Sequence, residues 1–153
     1  MIAYAFYKSP FGLLKIGVAD KKIILVSIVP QQDEPHQPAP LSEEVYRQLQ
    51  EYFAGKRTLF TVPYAFTGTS FQQQVWAQIA KIPYGQTITY KDIAQAIDKP
   101  RALQATGRAV GANPLAIIIP CHRVVGSNGT LTGYAYGLHM KQALLQLEKL
   151  HAE

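Results

Sequence analysis

The chain of 153 residues contains a single cysteine, Cys121, and no apolar run long enough to cross a membrane. One cysteine excludes an internal disulfide and a cysteine-rich zinc site, and it fits a reducing compartment. The N-terminus also lacks the charged start and the cleavage site of a signal peptide. We therefore expect a cytoplasmic protein that binds no membrane and no metal.

Acidic residues are also scarce, since 10 Asp and Glu stand against 15 Lys and Arg and leave a net charge of +5. Residues 1–60 hold seven basic and six acidic side chains, whereas residues 61–153 hold eight and four. The positive excess thus lies in the half that carries the cysteine. A basic surface favours an anionic partner such as nucleic acid, although charge of this size also serves solubility.

The first sixty residues predict a strand-rich domain. Short apolar runs separated by turn residues indicate an antiparallel meander with strands at Ile2–Tyr7, Leu13–Ala19 and Ile23–Val29. Ser42 is predicted to cap one helix, and Arg57–Val62 to add a further strand. No set of residues here resembles a catalytic site. We interpret 1–62 as a support domain and 63–69 as a linker.

The second predicted domain, 70–153, opens with a helix whose capping box is formed by Ser70 and Gln73. Two short helices follow, at Tyr90–Asp98 and Arg101–Gly111, joined by a tight turn. This is the helix-turn-helix arrangement. The helical period divides the last of these helices into two faces. The outer face is predicted to carry Arg101, Gln104, Ala105 and Arg108, and the inner face Leu103, Thr106, Gly107 and Val110. A basic face with small side chains suits a minor groove.

Cys121 follows Pro120 and three isoleucines at 117–119, which predict a short buried strand ending at a rigid residue. A cysteine is a nucleophile when ionised, which requires a base or a positive charge nearby. Neighbours in an extended chain point to opposite sides, so we expect His122 to reach the sulfur through a water molecule. Glu148, on the apolar face of a C-terminal helix, is a candidate to orient that histidine. The alternative is that Cys121 is an ordinary small core residue.

The Pro-Cys-His-Arg-Val sequence at 120–124, followed by Gly126 and a Gly-Tyr pair, resembles the signature of the O6-alkylguanine-DNA alkyltransferases. The similarity extends from about Phe71 to Glu148 and includes the segments FQQQVWAQIAKIPYGQTITYKDIA, GANP and KQALLQLE. The first 60 residues agree only in length and element order. The resemblance implies an α+β fold with two domains. The N-terminal domain would be ribonuclease-H-like, an antiparallel sheet with one helix, and the C-terminal alkyltransferase domain would be winged-helix or helix-turn-helix-like.

The same resemblance implies DNA repair. Cys121 would take an alkyl group, mainly methyl, from O6 of a guanine flipped out of double-stranded DNA, with O4-alkylthymine as a further candidate. His122 is implied as the base acting through water, and Glu148 as the residue that holds it. Tyr90 would protonate the guanine ring at N3, and Asn113 would tie the recognition helix to the cysteine turn. Because water cannot readily hydrolyse a thioether, we expect a monomer that acts once and needs no cofactor.

Pocket and DNA contacts also follow from the resemblance. The implied pocket residues are Val110, Val124, Tyr134, Ala135 and Tyr136. The implied DNA contacts are Arg101, Gln104, Ala105, Arg108 and Arg123. Gln104 replaces the arginine that fills the gap left by a flipped base, so we expect weaker base extrusion, partly restored by neighbouring arginines. Ala116 replaces a frequent proline and Tyr136 a frequent glycine, and because Tyr136 could crowd the pocket we expect methyl groups to react well and benzyl groups poorly.

Three other functions compete with this interpretation. A winged-helix transcription regulator would bind one sequence regardless of damage and would show no chemistry at Cys121. An alkyltransferase-like protein binds alkylated DNA without repairing it, but in that group the cysteine is replaced. A cysteine hydrolase would turn over repeatedly, and the sequence offers no clear oxyanion loop for one.

Overall fold

Three strands open the chain in the computed structural model, which describes residues 1–152. They are β1 (Ala3–Ser9), β2 (Gly12–Ala19) and β3 (Lys22–Val29), paired antiparallel in the order β1-β2-β3. The β2–β3 hairpin turns at Asp20 and Lys21, both with positive φ (51° and 62°), which suits the right-handed twist of the two strands. The predicted meander is thus present.

One helix, α1 (Pro40–Phe53), packs on this sheet through Val45, Leu49 and Tyr52, all fully buried. Proline at the first helical position needs no N–H partner there, so the helix begins before Ser42. Ser42 is therefore not the cap. It lies in the first turn, where its Oγ accepts a hydrogen bond of 2.8 Å from the N–H of Ala39.

The predicted strand at 57–62 is wrong, because none of these residues is in a strand in the described structure. Instead the segment is held by Gln48 of α1, whose Oε1 accepts from the N–H of Thr61 at 2.9 Å. A side chain can hold an extended segment that pairs with no strand. The periodicity of apolar residues in a sequence does not reveal such a contact.

The chain divides into two units, 1–67 with 114–116, and 68–113 with everything from 117 onward. The predicted linker 63–69 spans this division. Ile23 of β3 donates to the carbonyl of Pro63 at 2.9 Å and accepts from the N–H of Ala65 at 3.0 Å, so this part is bonded into the first unit. The final residue of the predicted second domain, Glu153, lies outside the described residues.

The second unit begins with α2 (Ser70–Ile79), capped by Thr69 and Gln72, one residue earlier than predicted. Its Trp76 is buried, and Nε1 donates 2.8 Å to the carbonyl of Ala109. Ala109 belongs to α4 (Leu103–Gly111), which follows α3 (Tyr90–Ala96). The helices α3 and α4 form the helix-turn-helix pair, and α2 packs against α4.

The second helix of this pair, α4, starts two residues later than predicted. Pro100 and Arg101 lie in the preceding turn, and Ala102 occupies the N-cap position. A proline is compatible with a first helical turn but equally with a turn before it, so the residue alone does not set the boundary. Arg101 consequently lies outside the helical face on which it was predicted.

Two short strands, β4 (Ile88–Thr89) and β5 (Val124–Val125), pair in parallel and join the start of α3 to the cysteine turn. The closing helix is α5 (Leu138–His151). No helix in the described part of the chain has the length and apolar content to span a membrane. The α+β class, with an antiparallel N-terminal sheet and a helical C-terminal domain, is confirmed.

The buried strand predicted at Ile117–Ile119 is wrong. Ile117 and Ile118 form a turn, and Ile117 has a positive φ of 69°. A β-branched residue in this backbone region is strained, so the surrounding structure must impose it. All three isoleucines are buried, and burial of apolar surface in the core offsets that strain.

Candidate active site

Cys121 begins a single 3-10 turn, Cys121–Arg123, directly before β5. Its N–H donates to the carbonyl of Ile119 at 2.8 Å, and the N–H of Arg123 donates to Pro120 at 2.9 Å. Only 6% of the cysteine is exposed. The thiol is therefore held by a tightly bonded turn rather than by the end of an extended strand.

His122 and Glu148 form a buried pair behind this turn. Nε2 of the histidine lies 2.6 Å from Oε2 of the carboxylate, and neither residue is exposed to solvent. Glu148 comes from α5, and its Oε1 also accepts from the N–H of Gly85 at 3.1 Å. The carboxylate thus fixes the orientation of the imidazole and leaves Nδ1 as the nitrogen that could act as a base.

The charge states follow from burial and hydrogen bonding. Burial opposes the charge on Glu148, but hydrogen bonds from His122 and Arg123 outweigh it and lower the pKa of the carboxyl to about 2. Burial lowers the pKa of His122 despite the neighbouring carboxylate, so the imidazole is neutral at physiological pH. An ionised carboxylate beside a neutral imidazole is the arrangement that a general base requires.

The Cys121 thiol is not ionised by its surroundings alone. Burial raises its pKa, while a hydrogen bond from Asn113 and the positive charge of Lys141 act in the opposite direction. Removal of the thiol proton therefore has to accompany the reaction. Asn113 lies two residues after the end of α4, and its Nδ2 also donates 2.7 Å to the carbonyl of Ile119, so it connects the end of that helix to the cysteine turn.

A cavity of about 260 Å³ opens on the thiol. Its lining consists of small residues and three larger side chains besides the cysteine: Gly107, Gly111, Gly133, Ala135, Tyr90, Val110 and Tyr134. The hydroxyl of Tyr90 donates to the carbonyl of Thr132 at 3.0 Å, and burial raises the pKa of this phenol. Cys121 thus lies on the wall of a small cavity that is lined mostly by small and aromatic residues.

Two family models match this chain and together span most of it. The DNA binding domain of 6-O-methylguanine DNA methyltransferase matches residues 70–150, and the ribonuclease-like domain of the same enzyme matches residues 2–66. The chain belongs to the 6-O-methylguanine DNA methyltransferase family. This membership confirms the predicted family and the predicted class of function, DNA repair by transfer of an alkyl group to a cysteine.

Individual relatives agree over nearly the whole length. The methylated-DNA–protein-cysteine methyltransferase of Methanosarcina barkeri is 45% identical over 152 residues, covering 95% of this chain and 96% of that protein. The protein of the same name from Mycobacterium tuberculosis is 44% identical over 158 residues, covering 99% and 95%. A crystal structure described as Mycobacterium tuberculosis OGT in complex with DNA is 42% identical with a TM-score of 0.89, covering 97% of this chain and 94% of that one.

Arg123 requires a correction within this methyltransferase site, because it was predicted to contact DNA. It is 6% exposed, and its guanidinium binds Glu148 through Nε at 2.8 Å and Nη2 at 2.9 Å. Nη1 donates 2.7 Å to the carbonyl of Ile82. Arg123 is therefore the counter-charge of the buried carboxylate, a position that does not suit the predicted DNA contact.

Two predicted pocket residues also lie elsewhere. Among the described residues, neither Val124 nor Tyr136 lines the cavity. Val124 is fully buried in β5, and the ring of Tyr136 packs edge-on against Tyr134 with centroids 5.7 Å apart. The crowding predicted from Tyr136 can therefore act only through Tyr134, which does line the cavity.

The structure tests which positions of α4 lie on its outer, exposed face, and the DNA contacts predicted there stay a prediction. Gln104 and Arg108 are exposed, and Ala105 is partly so. Leu103 was placed on the inner face, but 45% of it is exposed. With Gln104 it lines a groove of about 590 Å³ that shares Tyr90, Gly107 and Gly133 with the cysteine cavity. Leu103 is exposed because it is the first residue of the helix, one turn short of the buried stripe.

Sequence reasoning missed Lys141, a fully buried lysine on α5. Its Nζ donates to the carbonyls of Val124 at 2.6 Å, Thr132 at 2.8 Å and Gly133 at 3.2 Å. It thereby ties the loop that covers the cavity to the strand after the cysteine turn. The signal was present, because Lys141 lies seven residues before Glu148 on the stripe that also includes Leu144.

Replacing Lys141 by methionine should shift the pH profile of the alkyl-transfer rate to higher pH. It should also lower the free energy of unfolding. Loss of the positive charge leaves the Cys121 pKa further raised, so more hydroxide is needed to ionise the thiol. Three carbonyls also lose a buried donor, at a cost of about 1–3 kcal/mol for an unsatisfied group. Single-turnover rates against pH and urea unfolding measure the two effects. A slower rate with an unshifted pH profile would show that Lys141 is purely structural.

Proposed function

We propose that this protein repairs DNA by moving an alkyl group, chiefly methyl, from O6 of guanine to Sγ of Cys121, once per molecule. The observation that carries the proposal is the Cys121 thiol on the wall of a small cavity, next to the buried His122–Glu148 pair. We also propose that the protein acts as a monomer in the cytoplasm, with access to chromosomal DNA.

The proposed step is a displacement at carbon. A bond forms between Sγ of Cys121 and the alkyl carbon, and the bond from that carbon to O6 of guanine breaks. The electron pair of the broken bond remains on guanine. The thiol loses one proton, taken up through His122, and the departing guanine gains one, so charge balances. The resulting thioether has no electrophilic carbonyl for water to attack, so the protein is consumed.

We assign to Tyr90 the protonation of the departing guanine. Its phenol lines both the cavity and the adjoining groove, and its raised pKa keeps it protonated at neutral pH. The hydroxyl now donates to the carbonyl of Thr132 at 3.0 Å. Transfer of that hydrogen bond to N3 of guanine would supply the proton as the base leaves.

The target base must leave the duplex to reach the thiol. A cavity of about 260 Å³ takes one base and not a stacked pair, and Cys121 is 6% exposed. The groove beside α4, with Gln104 and Leu103 on its wall, is the surface that we assign to the flanking DNA. Gln104 is uncharged, so we propose weaker base extrusion than an arginine there would give.

Intact-mass measurement tests the proposal directly. The protein is incubated with a duplex carrying one O6-methylguanine, at equimolar ratio and at tenfold excess of DNA, and an unmodified duplex serves as the control. We expect a single added methyl group in both mixtures, located on residue 121 by peptide mapping, and none with the control. Unchanged protein after prolonged incubation, or methyl loss from DNA beyond one equivalent, would contradict the proposal.

A further inference from the structure

Leu103 presents a large apolar side chain to solvent. It is the first residue of α4, and 45% of it is exposed. A single exposed leucine needs no explanation on its own. Leu138, the first residue of α5, is exposed to a similar extent, 47%, and among the described residues it lines neither the cysteine cavity nor the adjoining groove. What distinguishes Leu103 is therefore its position.

Leu103 lies one helical turn from the cysteine cavity. Residues four apart share a face of a helix, so Leu103 and Gly107 lie on one side of α4, about 6 Å apart along its axis. Gly107 lines both the cavity and the groove of about 590 Å³ that Leu103 lines. Beyond its chain neighbours and the helix backbone, a methyl group on Gly107 would meet nothing within 4 Å. The surface between the leucine and the cavity is therefore open.

The charges around Leu103 suit double-stranded DNA as the occupant of the groove. Lys91 lines the groove with Leu103, and Arg108 is exposed on the next turn of α4. Among the described residues, no acidic side chain lines this groove. The cations can meet phosphates, while the leucine can meet only the apolar faces and edges of bases.

A flipped base leaves a gap in the stack that it has left. When the base lies in the cavity that Cys121 lines, its former place in the duplex lies outside that cavity, on the side of the groove. Proteins that bind the minor groove hold such base steps open with apolar side chains. Gln104 also lines the groove, but burial of its amide between bases costs free energy unless the amide finds hydrogen-bond partners. The side chain of Leu103 carries no such cost.

We propose that the side chain of Leu103 enters the DNA stack, fills the gap left by the flipped O6-alkylguanine and so slows the return of that base to the duplex. This inference rests on the proposed function, since it concerns how the base reaches Cys121. Leu103 touches neither the thiol nor the transferred carbon in this arrangement, so it is a positioning residue. Its contribution should depend on whether the adduct is paired.

Two DNA substrates with the same adduct test the inference. Single-turnover transfer rates are measured with O6-methylguanine in a duplex and in the same strand without its partner, for the wild type and for Leu103→Ala. The ratio of the duplex rate to the single-strand rate cancels effects on the chemical step, as in a double-mutant cycle. We expect this ratio to fall about tenfold in Leu103→Ala, because most of the buried apolar side chain is lost. Alanine favours a helix, so the variant should fold.

Leu138→Ala is the matched control, because it truncates an equally exposed leucine at the start of another helix. Its rate ratio should equal that of the wild type, and Leu103→Met should restore most of the ratio, since methionine has a similar volume. An unchanged ratio in Leu103→Ala would overturn the inference, as would a fall in Gln104→Ala without one in Leu103→Ala. A wild-type protein that takes no methyl group from either substrate would instead overturn the proposed function.

Fluorescence gives a second readout that does not depend on alkyl transfer. Cys121→Ser and the double variant Cys121→Ser/Leu103→Ala are added to saturation to a duplex with 2-aminopurine beside the O6-methylguanine. This reporter brightens when its neighbour leaves the stack. The increase should be smaller with the double variant, because more of the adduct stays stacked. Equal increases at saturation would count against the inference even if the transfer rates differed.

Discussion

Replacing Cys121 by serine is expected to abolish alkyl transfer while leaving DNA binding in place. The thiolate is the proposed nucleophile. The buried site already raises the pKa of the thiol, so the far weaker acidity of a serine hydroxyl keeps it protonated there. Serine differs from cysteine by one atom and fits the same 3-10 turn. Intact mass after incubation with an O6-methylguanine duplex should show no added methyl, and a gel-shift titration should show retained affinity.

The same variant separates the competing functions. A transcription regulator would bind one sequence with equal affinity whether or not it is methylated, and the substitution would change nothing. A hydrolase would release product from the wild type repeatedly, whereas the proposed reaction stops after one equivalent. Methyl transfer to another residue of Cys121→Ser would show that the acceptor was assigned wrongly.

The predictions of the fold that agree best with the structure are those that depend only on residues close together in sequence. The β2–β3 hairpin follows from two apolar runs around Asp20-Lys21. The helix α3 begins at Tyr90 as predicted, and the structure shows that Thr89 caps it by accepting from the N–H of Asp92 at 3.0 Å. Each depends on contacts within a few positions. The Ile117–Ile119 segment failed because a run of β-branched residues indicates a strand, whereas packing imposes a turn with positive φ at Ile117.

The buried charges were the least predictable part of the candidate site. Lysine and arginine are rarely buried unless paired, so Arg123 was placed on the DNA-facing surface and Lys141 was overlooked. Both are buried because partners distant in sequence satisfy them. Arg123 meets Glu148, 25 residues away, and Lys141 meets the carbonyl of Val124, 17 residues away. Glu148 itself was predictable as a candidate because it continues the apolar stripe of α5.

The second large effect is expected from Glu148→Gln, which keeps the shape of the side chain and removes its charge. His122 loses the carboxylate that orients it, and Arg123 is left as a buried cation without a counter-charge. Breaking a buried ion pair in this way costs about 3–5 kcal/mol of folding stability. Loss of a positioned general base slows a reaction by about 10²- to 10⁴-fold. Urea unfolding and single-turnover transfer rates measure the two losses.

Glu51→Gln provides the matched control, because Glu51 also binds two arginines, Arg47 at 2.9 Å and Arg57 at 2.8 Å, but on the surface. Exposed pairs contribute about 0–1 kcal/mol, so this variant should unfold almost as the wild type does.

The pH dependence of stability adds a second comparison. Glu148 has its pKa lowered from 4.5 to about 2, so its contribution is present above pH 4.5 and is lost as the pH falls towards 2. The stability of Glu148→Gln should not show this decrease at low pH. Equal acid sensitivity of the wild type and Glu148→Gln would show that the carboxylate is not the stabilising charge.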